Sequence, residues 1–531
     1  EFAQECSDII REMDPTAKTM RVITTCNGGE GTDWNVIQNW SGTYGGDVTK
    51  YGRELSQANQ LLNGEYGAWR SIDLHTEPGD FQVNGVWSED RMCQLMETKI
   101  RLAEQAKDSV CGQFQWIYSS HDNPGRRQPD EAYRKIDKVG PFNYKGLVTP
   151  WEEPLDVYYM YRANYVPAAK DPMVYLVSHT WANRFEKGRR RATIEAYSNC
   201  DSVLLYNDLT NEKETFLGRK KNNGVGTHFM WENRDIRYNV LRAVGYYKGK
   251  PVAEDLILLN GLEQAPNFEL LYQDDKKILK GEAGYNYLYR LNCGGDDYTD
   301  SFGQLWLQDN TNYSRSWAEN FKDLNPYLAS QRTTNDPIRG TRDWTLFQHF
   351  RFGRHQLEYR FPVADGTYRI ELYFTEPWHG TGGSASTDCE GLRIFDVAVN
   401  DSVVLDDLDI WAESGHDEVC KKVIYATVTG GMLRIHFPEV KAGQALISGI
   451  AIASTDQELK PTVFPASGWS WEKADKEVME KTPKELLPED KNARVSISYE
   501  AETAVLKGKF QKKEHRKQMW QLCVTSSGFI S

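Results

Sequence analysis

The sequence lacks several patterns that would define its chemistry at once. Its nine cysteines are scattered and form no CxxC pair or Cys/His ligand spacing, so the sequence predicts no metal site and no cofactor. Nucleic acid is not expected as a partner, because 63 Lys and Arg against 76 Asp and Glu leave a net charge of −13. No apolar run approaches the roughly 18–20 residues of a membrane span. The first residues also lack the charged and apolar regions of a signal peptide.

Length and aromatic content are the informative bulk properties. A chain of 531 residues is too long for one hydrophobic core, and roughly three to four domains are expected. Aromatic residues make up 12% of the chain, with 16 Trp and 28 Tyr. Such rings stack on sugar faces, but they also fill β-rich cores, so the composition favours a carbohydrate partner without establishing it.

Residues 1–166 alternate between strand and helix patterns. Apolar residues on one helical face over residues 1–13 end at Asp14-Pro15, and four β-branched or aromatic strands follow with helices between them. Each strand ends in a loop rich in Asn, Trp, Tyr, Glu or His. Because a (β/α)8 barrel carries its chemistry at these strand ends, the pattern predicts the C-terminal half of such a barrel. The other half is expected upstream or on another chain, since an open half leaves strand edges unpaired.

The rest of the chain has short β patterns separated by polar turns. The sequence therefore predicts a multidomain α/β plus all-β protein, in which a half-barrel is followed by β-sandwich domains. The predicted boundaries are 167–265 for an immunoglobulin-like sandwich, 284–456 for a second all-β domain, 457–493 for a linker and 494–531 for an incomplete β module.

One carboxylate stands out in "LLNGEYGAWR", residues 61–70. Glu65 lies between two glycines at the end of a predicted strand. The simpler interpretation is a strand-end acid that caps the next helix or pairs with Arg70. The functional interpretation is a glycosidase nucleophile, which requires a rigid carboxylate about 5–5.5 Å from a second one in a retaining enzyme.

The motifs around Glu65 resemble a known family. "NGEYGAW", preceded by "NWSGTY" and followed by "GQFQW" and "GPFNYKGLVTPWEEP", resembles the second half of a glycoside hydrolase family 2 barrel. The resemblance implies a retaining β-glycosidase with Glu65 as nucleophile. It also implies that Tyr44 hydrogen-bonds this nucleophile and that Trp116 forms the floor of the sugar site.

Four further residues are candidate substrate contacts. Asn39 and His121 lie at predicted strand ends, where they would contact sugar hydroxyls or make structural hydrogen bonds. Asn143 and Lys145 form an Asn-x-Lys triplet, which in the β-glucuronidase branch of the family grips the sugar carboxylate. Since the Lys-Gly-Leu-Val segment also resembles members acting on neutral galactosides, we expect a β-galactoside first and a β-uronide as the alternative.

The resemblance departs from the family at its acid/base glutamate. In the family this residue precedes a helix like the one that opens this chain, and Glu1 and Glu5 lie on the helix itself. We therefore expect an incomplete catalyst that lacks its acid/base half, with a non-catalytic carbohydrate-binding fragment as the other alternative. A nucleophile without this residue should be severely slowed, because general acid catalysis contributes roughly 10²–10⁴-fold to the rate.

The second all-β region resembles a malectin domain. The motifs are "YRLNCGGDDYTDSFGQLWLQD" (289–309), "FPVADGTYRIELYFTEPW" (361–378) and "GLRIFDVAVND" (391–401). The resemblance implies a jelly-roll-like fold that binds carbohydrate, with Tyr298, Phe347 and Trp378 as contacts or as packing residues. We also expect an oligo- or polysaccharide partner, a periplasmic or extracellular location and a homo-oligomer.

Overall fold

The computed structural model describes most of the chain up to residue 461. The described residues are 2–14, 16, 20–26, 31–43, 47–57, 62–67, 89–122, 142–143, 145–149, 152–181, 184–185, 191–309, 329–353, 357–380 and 388–461. Tyr44, Arg70 and the predicted module at 494–531 lie outside these residues. None of the helices in the described ranges is long and apolar enough to cross a membrane.

A parallel α/β sheet forms the first part of the fold. Its elements are α1 (Phe2–Met13), β1 (Thr24–Cys26), β2 (Trp34–Gln38), α2 (Tyr51–Gln57), β3 (Leu62–Gly67), α3 (Glu89–Gln105) and β4 (Gly112–Trp116). The four strands pair in sequence order, and every pairing is parallel. The predicted alternation of strand and helix is present from β2 to β4, whereas β1 and β2 follow each other directly in the described order of elements. The half-barrel stays a prediction.

Helix α3 covers this sheet with an apolar stripe. Met92, Met96 and Ile100 recur at helical spacing and are at most 1% exposed. Glu89 and Asp90 lie in the first turn of the helix, where carboxylates complement the helix dipole. The stripe packs on Tyr51 and Leu55 of α2 in one hydrophobic cluster.

Two short strands and a fourth helix lead to the next layer. These are β5 (His121–Asp122), β6 (Phe142–Asn143) and α4 (Asp156–Tyr165). The two strands pair antiparallel, and α4 packs on α3 and on residues 191–198 of the following region.

Seven strands then form two antiparallel sheets that face each other. They are β7 (Val174–Val177), β8 (Arg191–Ser198), β9 (Ser202–Tyr206), β10 (Phe216–Lys221), β11 (Phe229–Asp235), β12 (Val240–Tyr247) and β13 (Lys250–Leu258). One sheet has the order β10-β9-β12-β13 and the other β11-β8-β7. Ile194, Leu205 and Trp231 lie between the sheets and are fully buried, which gives this region its own core.

The second all-β region is the largest. Its elements are β14 (Asn286–Cys293), β15 (Tyr298–Thr299), β16 (Leu305–Asp309), β17 (Ala329–Thr333), α5 (Trp344–Phe347), β18 (His349–Gly353), β19 (Glu358–Pro362), β20 (Gly366–Phe374), β21 (Ile394–Val399), β22 (Ser402–Leu408), α6 (Ile410–Ser414), β23 (Cys420–Val428), β24 (Met432–His436), β25 (Val440–Ala442), β26 (Ala445–Ile447) and β27 (Gly449–Ser454). The longest sheet has the order β15-β16-β14-β27-β20-β23. It packs on a shorter sheet, β19-β24-β21-β22, over an aromatic and aliphatic core.

Buried polar contacts join the three regions. Arg393 of the second all-β region is 0% exposed and donates to Glu153, next to α4, at 3.1 Å. Gln444 donates to the other oxygen of Glu153 at 3.0 Å. His179, after β7, lies between the carboxylates of Asp255 and Asp336. A buried charge is tolerated only when it is paired in this way, so the regions depend on one another at these contacts.

Candidate functional site

Glu65 lies at a local irregularity near the C-terminal end of β3. The pairing register between β3 and β4 shifts between Asn63 and Tyr66, so Gly64 and Glu65 form a bulge in the strand. The Glu65 carbonyl accepts from the Asn39 amide at 2.9 Å, which fixes its backbone to the loop after β2. The residue is half-buried. Bulges of this kind re-aim side chains next to functional sites.

Gln38 holds the Glu65 carboxylate. Its Nε2 donates to Glu65 Oε2 at 2.7 Å, and its Oε1 accepts from Trp40 Nε1 at 3.2 Å. The indole therefore fixes the amide so that its NH₂ group faces the acid. Gln38 was not among the residues predicted from the sequence. Its position next to Asn39, at the end of the same strand, indicates a site residue.

Trp116 ends the neighbouring strand and lies beside Glu65's strand. It pairs in register with Gly67, is 37% exposed, and meets the His121 ring edge-on at a centroid distance of 6.5 Å. The structure thus places Trp116 and His121 at the same edge of the sheet as Glu65. An exposed ring face at this edge is suited to packing against a sugar.

The Asn-x-Lys segment reaches the same edge. The His121 backbone pairs with Asn143, and the Ile117 amide donates to the Lys145 carbonyl at 3.3 Å. Lys145 is 6% exposed. The side chain of Asn143 lies outside the described residues. The segment therefore follows the strand that ends in Trp116.

The side chain of Asn39 makes a structural hydrogen bond to the backbone. It is 6% exposed, and its Oδ1 accepts from the Ser41 amide at 3.0 Å. Of the two roles expected for this residue, the structure shows the structural hydrogen bond, because the oxygen closes the turn that follows β2.

A buried lysine supports the strand from below. Lys99 Nζ donates to Thr43 Oγ1 at 2.6 Å, and Thr43 Oγ1 donates to the Gly67 carbonyl at 3.0 Å. Gly67 has a φ of +100°, and a Cβ there would overlap the Gln115 side chain. Burial lowers the pKa of Lys99 to about 7. The chain of contacts fixes the backbone two residues after Glu65.

The expected carbohydrate contacts of the second all-β region are packing residues. Phe347 is 0% exposed, so of the two roles expected for it the structure shows packing. Tyr298 donates to Asp343 Oδ1 at 2.7 Å. Trp378 packs edge-on against Phe350 and Phe352 at 5.0 and 5.3 Å. These rings fill the region's core and rim because its sheets enclose them.

Trp378 also borders a small cavity where the three regions meet. The cavity has a volume of about 40 Å³, and Glu153, Tyr159 and Phe352 contribute to its wall. Such a space holds water but is too small for a sugar ring.

Two groups of side chains among the described residues have the spacing of metal ligands. One is Asp336, His416 and Asp417, and the other is Asp396, Asp406 and Asp407. Neither lies at the Glu65 edge, and the acid-rich second group is mostly exposed.

Comparisons with known proteins divide the chain into two parts. Residues 287–457 match the family model of the Malectin domain. This region is malectin-like. Malectin from Danio rerio is 24% identical over 166 residues, which cover 30% of this chain and 52% of that protein.

The similarity also extends to a glycosidase-like protein. A protein described as a putative beta-glucuronidase from Formosa agariphila is 27% identical over 290 residues, which cover 49% of this chain and 33% of that protein. The chain thus spans about a third to a half of the length of the relatives it matches.

Solved structures of β-glucuronidases align with most of the chain. A Bacteroides uniformis beta-glucuronidase is 24% identical, with coverage of 85% of this chain and 50% of that chain and a TM-score of 0.37. A Parabacteroides merdae beta-glucuronidase is 17% identical, with coverage of 84% and 45% and a TM-score of 0.40.

Proposed function

We propose that the chain carries the nucleophile of a retaining β-glycosidase, Glu65, and that its substrate is a β-glucuronide or related β-uronide. The observation that carries this proposal is the position of the Glu65 carboxylate, half-buried at a sheet edge, oriented by Gln38 and next to the exposed Trp116 ring. The similarity to a putative beta-glucuronidase supports the uronide over the galactoside that the sequence analysis placed first. The β-galactoside expectation gains no specific support.

The geometry suits nucleophilic attack by a carboxylate. Gln38 donates to Oε2 of Glu65 and orients the carboxylate. A carboxylate oxygen attacks the anomeric carbon, while the bond from that carbon to the leaving-group oxygen breaks. A second carboxyl group protonates the leaving oxygen, and it then deprotonates the water that releases the sugar from Glu65. Gln38 is a neutral donor, so it positions the carboxylate without the strong attraction of a cation.

Lys145 and Asn143 are the proposed determinants of the uronide. A buried ammonium group attracts an anionic sugar more strongly than an exposed one, because less water screens the pair. Lys145 is 6% exposed and lies on the segment that pairs with the backbone after Trp116. A neutral galactoside carries no carboxylate for the Lys145 ammonium group to bind.

Carbohydrate binding without hydrolysis is the second candidate. The match of residues 287–457 to the Malectin domain model favours it. In that case the malectin-like region would retain a glycan while Glu65 makes no covalent bond.

Kinetics on two matched substrates test the proposal. The protein that carries this sequence should hydrolyse 4-nitrophenyl β-glucuronide in preference to the β-galactoside, and Glu65→Gln should lower kcat by about 10³-fold or more. Lys145→Met should lower kcat/KM for the glucuronide only.

The control is the melting temperature of each variant, which should match that of the wild type because the changes are close in size. Equal turnover by Glu65→Gln and wild type would rule out the nucleophile. Glycan binding with no turnover of either substrate by the wild type would favour the binding function instead.

A further inference from the structure

A buried cluster in the malectin-like region has the chemistry of a metal site. Asp336, after β17, and His416 and Asp417, after α6, offer ligand atoms that all lie within 4.8 Å of one another. The two carboxylates are 2% and 8% exposed. The three residues come from positions 80 apart in the sequence, which is why ligand spacing gave no sign of them.

His416 is oriented like a metal ligand. Its Nδ1 lies 3.1 Å from the Glu376 carbonyl, an acceptor, so Nδ1 carries the proton and donates it. Without an ion, Nε2 also carries a proton and donates to Asp417 Oδ2 at 2.8 Å, and a metal ion would replace that proton. Histidines that bind metals almost always donate their second nitrogen to a carbonyl or carboxylate in this way.

Asp417 supplies an oxygen that no described group satisfies. Its Oδ1 is buried and accepts no hydrogen bond from the described residues. A buried carboxylate oxygen without a donor is costly, and it invites a cation. The nearby guanidinium of Arg339 does not supply the charge, because it binds Glu418 at 3.1 Å and the His416 carbonyl at 3.2 Å.

The backbone holds these ligands before any ion arrives. The Asp417 carbonyl accepts from the Arg339 amide at 2.7 Å, and the Asp417 amide donates to the Glu376 carbonyl at 3.0 Å. Asp336 is fixed as well, since its Oδ2 accepts from Thr334 Oγ1 at 2.8 Å and its Oδ1 contacts His179. His179 in turn contacts Asp255 at 2.9 Å. Because these hydrogen bonds already hold the ligand side chains in place, an ion can bind with little rearrangement of the protein.

We propose that Asp336, His416 and Asp417 bind a divalent first-row transition metal of the Zn²⁺ class. One imidazole nitrogen and two carboxylate oxygens suit this class better than Ca²⁺ or Mg²⁺, which prefer all-oxygen sites. The two carboxylate charges balance those of the ion. The bound ion ties the loop after β17 to the turn after α6.

Titration with Zn²⁺ after removal of metals by EDTA tests the site. Isothermal calorimetry should show one ion bound per chain, and Asp417→Asn should weaken the affinity by about 100-fold or more. Asp406→Asn is the matched control, because it belongs to the other acidic group, where Lys441 already contacts Asp407. This control should bind Zn²⁺ like the wild type.

Thermal unfolding separates ligand loss from misfolding. In EDTA, Asp417→Asn should melt below the wild type, because it loses the buried ion pair with His416. Added Zn²⁺ should raise the melting temperature of the wild type but not of this variant. Failure of the wild type to bind Zn²⁺, equal binding by Asp417→Asn, or a response to Ca²⁺ in place of Zn²⁺ would overturn the proposal.

Discussion

The parallel sheet and the malectin-like region use buried acids in opposite ways. Glu376, in the malectin-like region, is 0% exposed and accepts from Arg393 and from the amides of Trp378 and His379. Burial raises the pKa of Glu376, but the charges of Arg393 and His379 and their hydrogen bonds together lower it to about 2. Glu65, in the sheet, is half-buried and accepts from a neutral amide.

This difference indicates the purpose of each acid. A carboxylate surrounded by cationic and backbone donors is locked in place and stabilises the fold. A carboxylate oriented by a neutral amide at the C-terminal ends of the strands is fixed in direction but can still form a bond to a substrate. The following changes test this contrast.

Arg393→Met should produce the largest effect. It leaves Glu376 and Glu153 as buried acids without their shared cation, and breaking a buried pair in this way costs about 3–5 kcal/mol. Denaturant unfolding of the malectin-like region measures the loss. Lys441→Met is the control, because Lys441 pairs with Asp407 and both side chains are at least 40% exposed, and it should cost about 1 kcal/mol or less. Equal losses of unfolding free energy in the two variants would contradict the contrast between buried and exposed ion pairs.

Lys99→Met should change how stability depends on pH. Because the folded pKa of Lys99 is about 7 and its ordinary value is 10.5, the unfolded chain binds more protons between these values. The free energy of unfolding therefore rises with pH in this window, by up to about 1.4 kcal/mol per unit. From pH 7 to 9 the wild type should gain about 2 kcal/mol relative to Lys99→Met.

Lys107→Met is the matched control for that measurement. Lys107 lies just after the same helix, is 66% exposed, and pairs with Glu104, which raises its pKa. Its removal should leave the dependence between pH 7 and 9 unchanged. If the free energies of unfolding of the wild type and Lys99→Met changed with pH in the same way, the pKa of Lys99 would not be lowered in the folded protein.

Gln38→Leu should slow catalysis and leave the fold intact. Hydrogen bonds to charged groups contribute about 1.5–3 kcal/mol, so kcat should fall about 10–100-fold with a smaller change in KM. Steady-state kinetics on the glucuronide measure the split between kcat and KM. Gln105→Leu, at the exposed end of α3, should change neither. An unaltered kcat for Gln38→Leu would mean that the amide does not position Glu65.

Tyr298→Phe should have the smallest effect. It removes the hydrogen bond to Asp343, which keeps the donors of Ser301, so the cost is about 0.5–1.5 kcal/mol. Glycan binding should be unchanged because the ring packs within the region. A loss of binding without a loss of stability would restore Tyr298 as a sugar contact.

Local patterns in the sequence predicted much of the fold. The stripe from Met92 to Ile100 recurs at helical spacing and is buried in α3. The four strands around Glu65 pair as parallel neighbours, which the pattern of strands and intervening helices predicts. Periodicity within one element is visible in sequence because it depends on residues a few positions apart.

Contacts between distant segments were not predictable. Gln38 reaches Glu65 across 27 positions, and Glu153 meets Arg393 across 240. The role of Phe347 stayed open between a sugar contact and packing, because its burial depends on strands far along the chain. The cluster of Asp336, His416 and Asp417 escaped detection for the same reason, since no spacing rule links its members.

Covalent labelling tests the central role of Glu65 most directly. The protein is incubated with a cyclophellitol-6-carboxylate aziridine, which mimics a uronide and traps a nucleophilic carboxylate, and the labelled peptide is then identified by mass spectrometry. We predict one added group on Glu65, which is absent in Glu65→Gln and prevented by excess glucuronide. A label on a different carboxylate, or none on the wild type, would contradict the assignment.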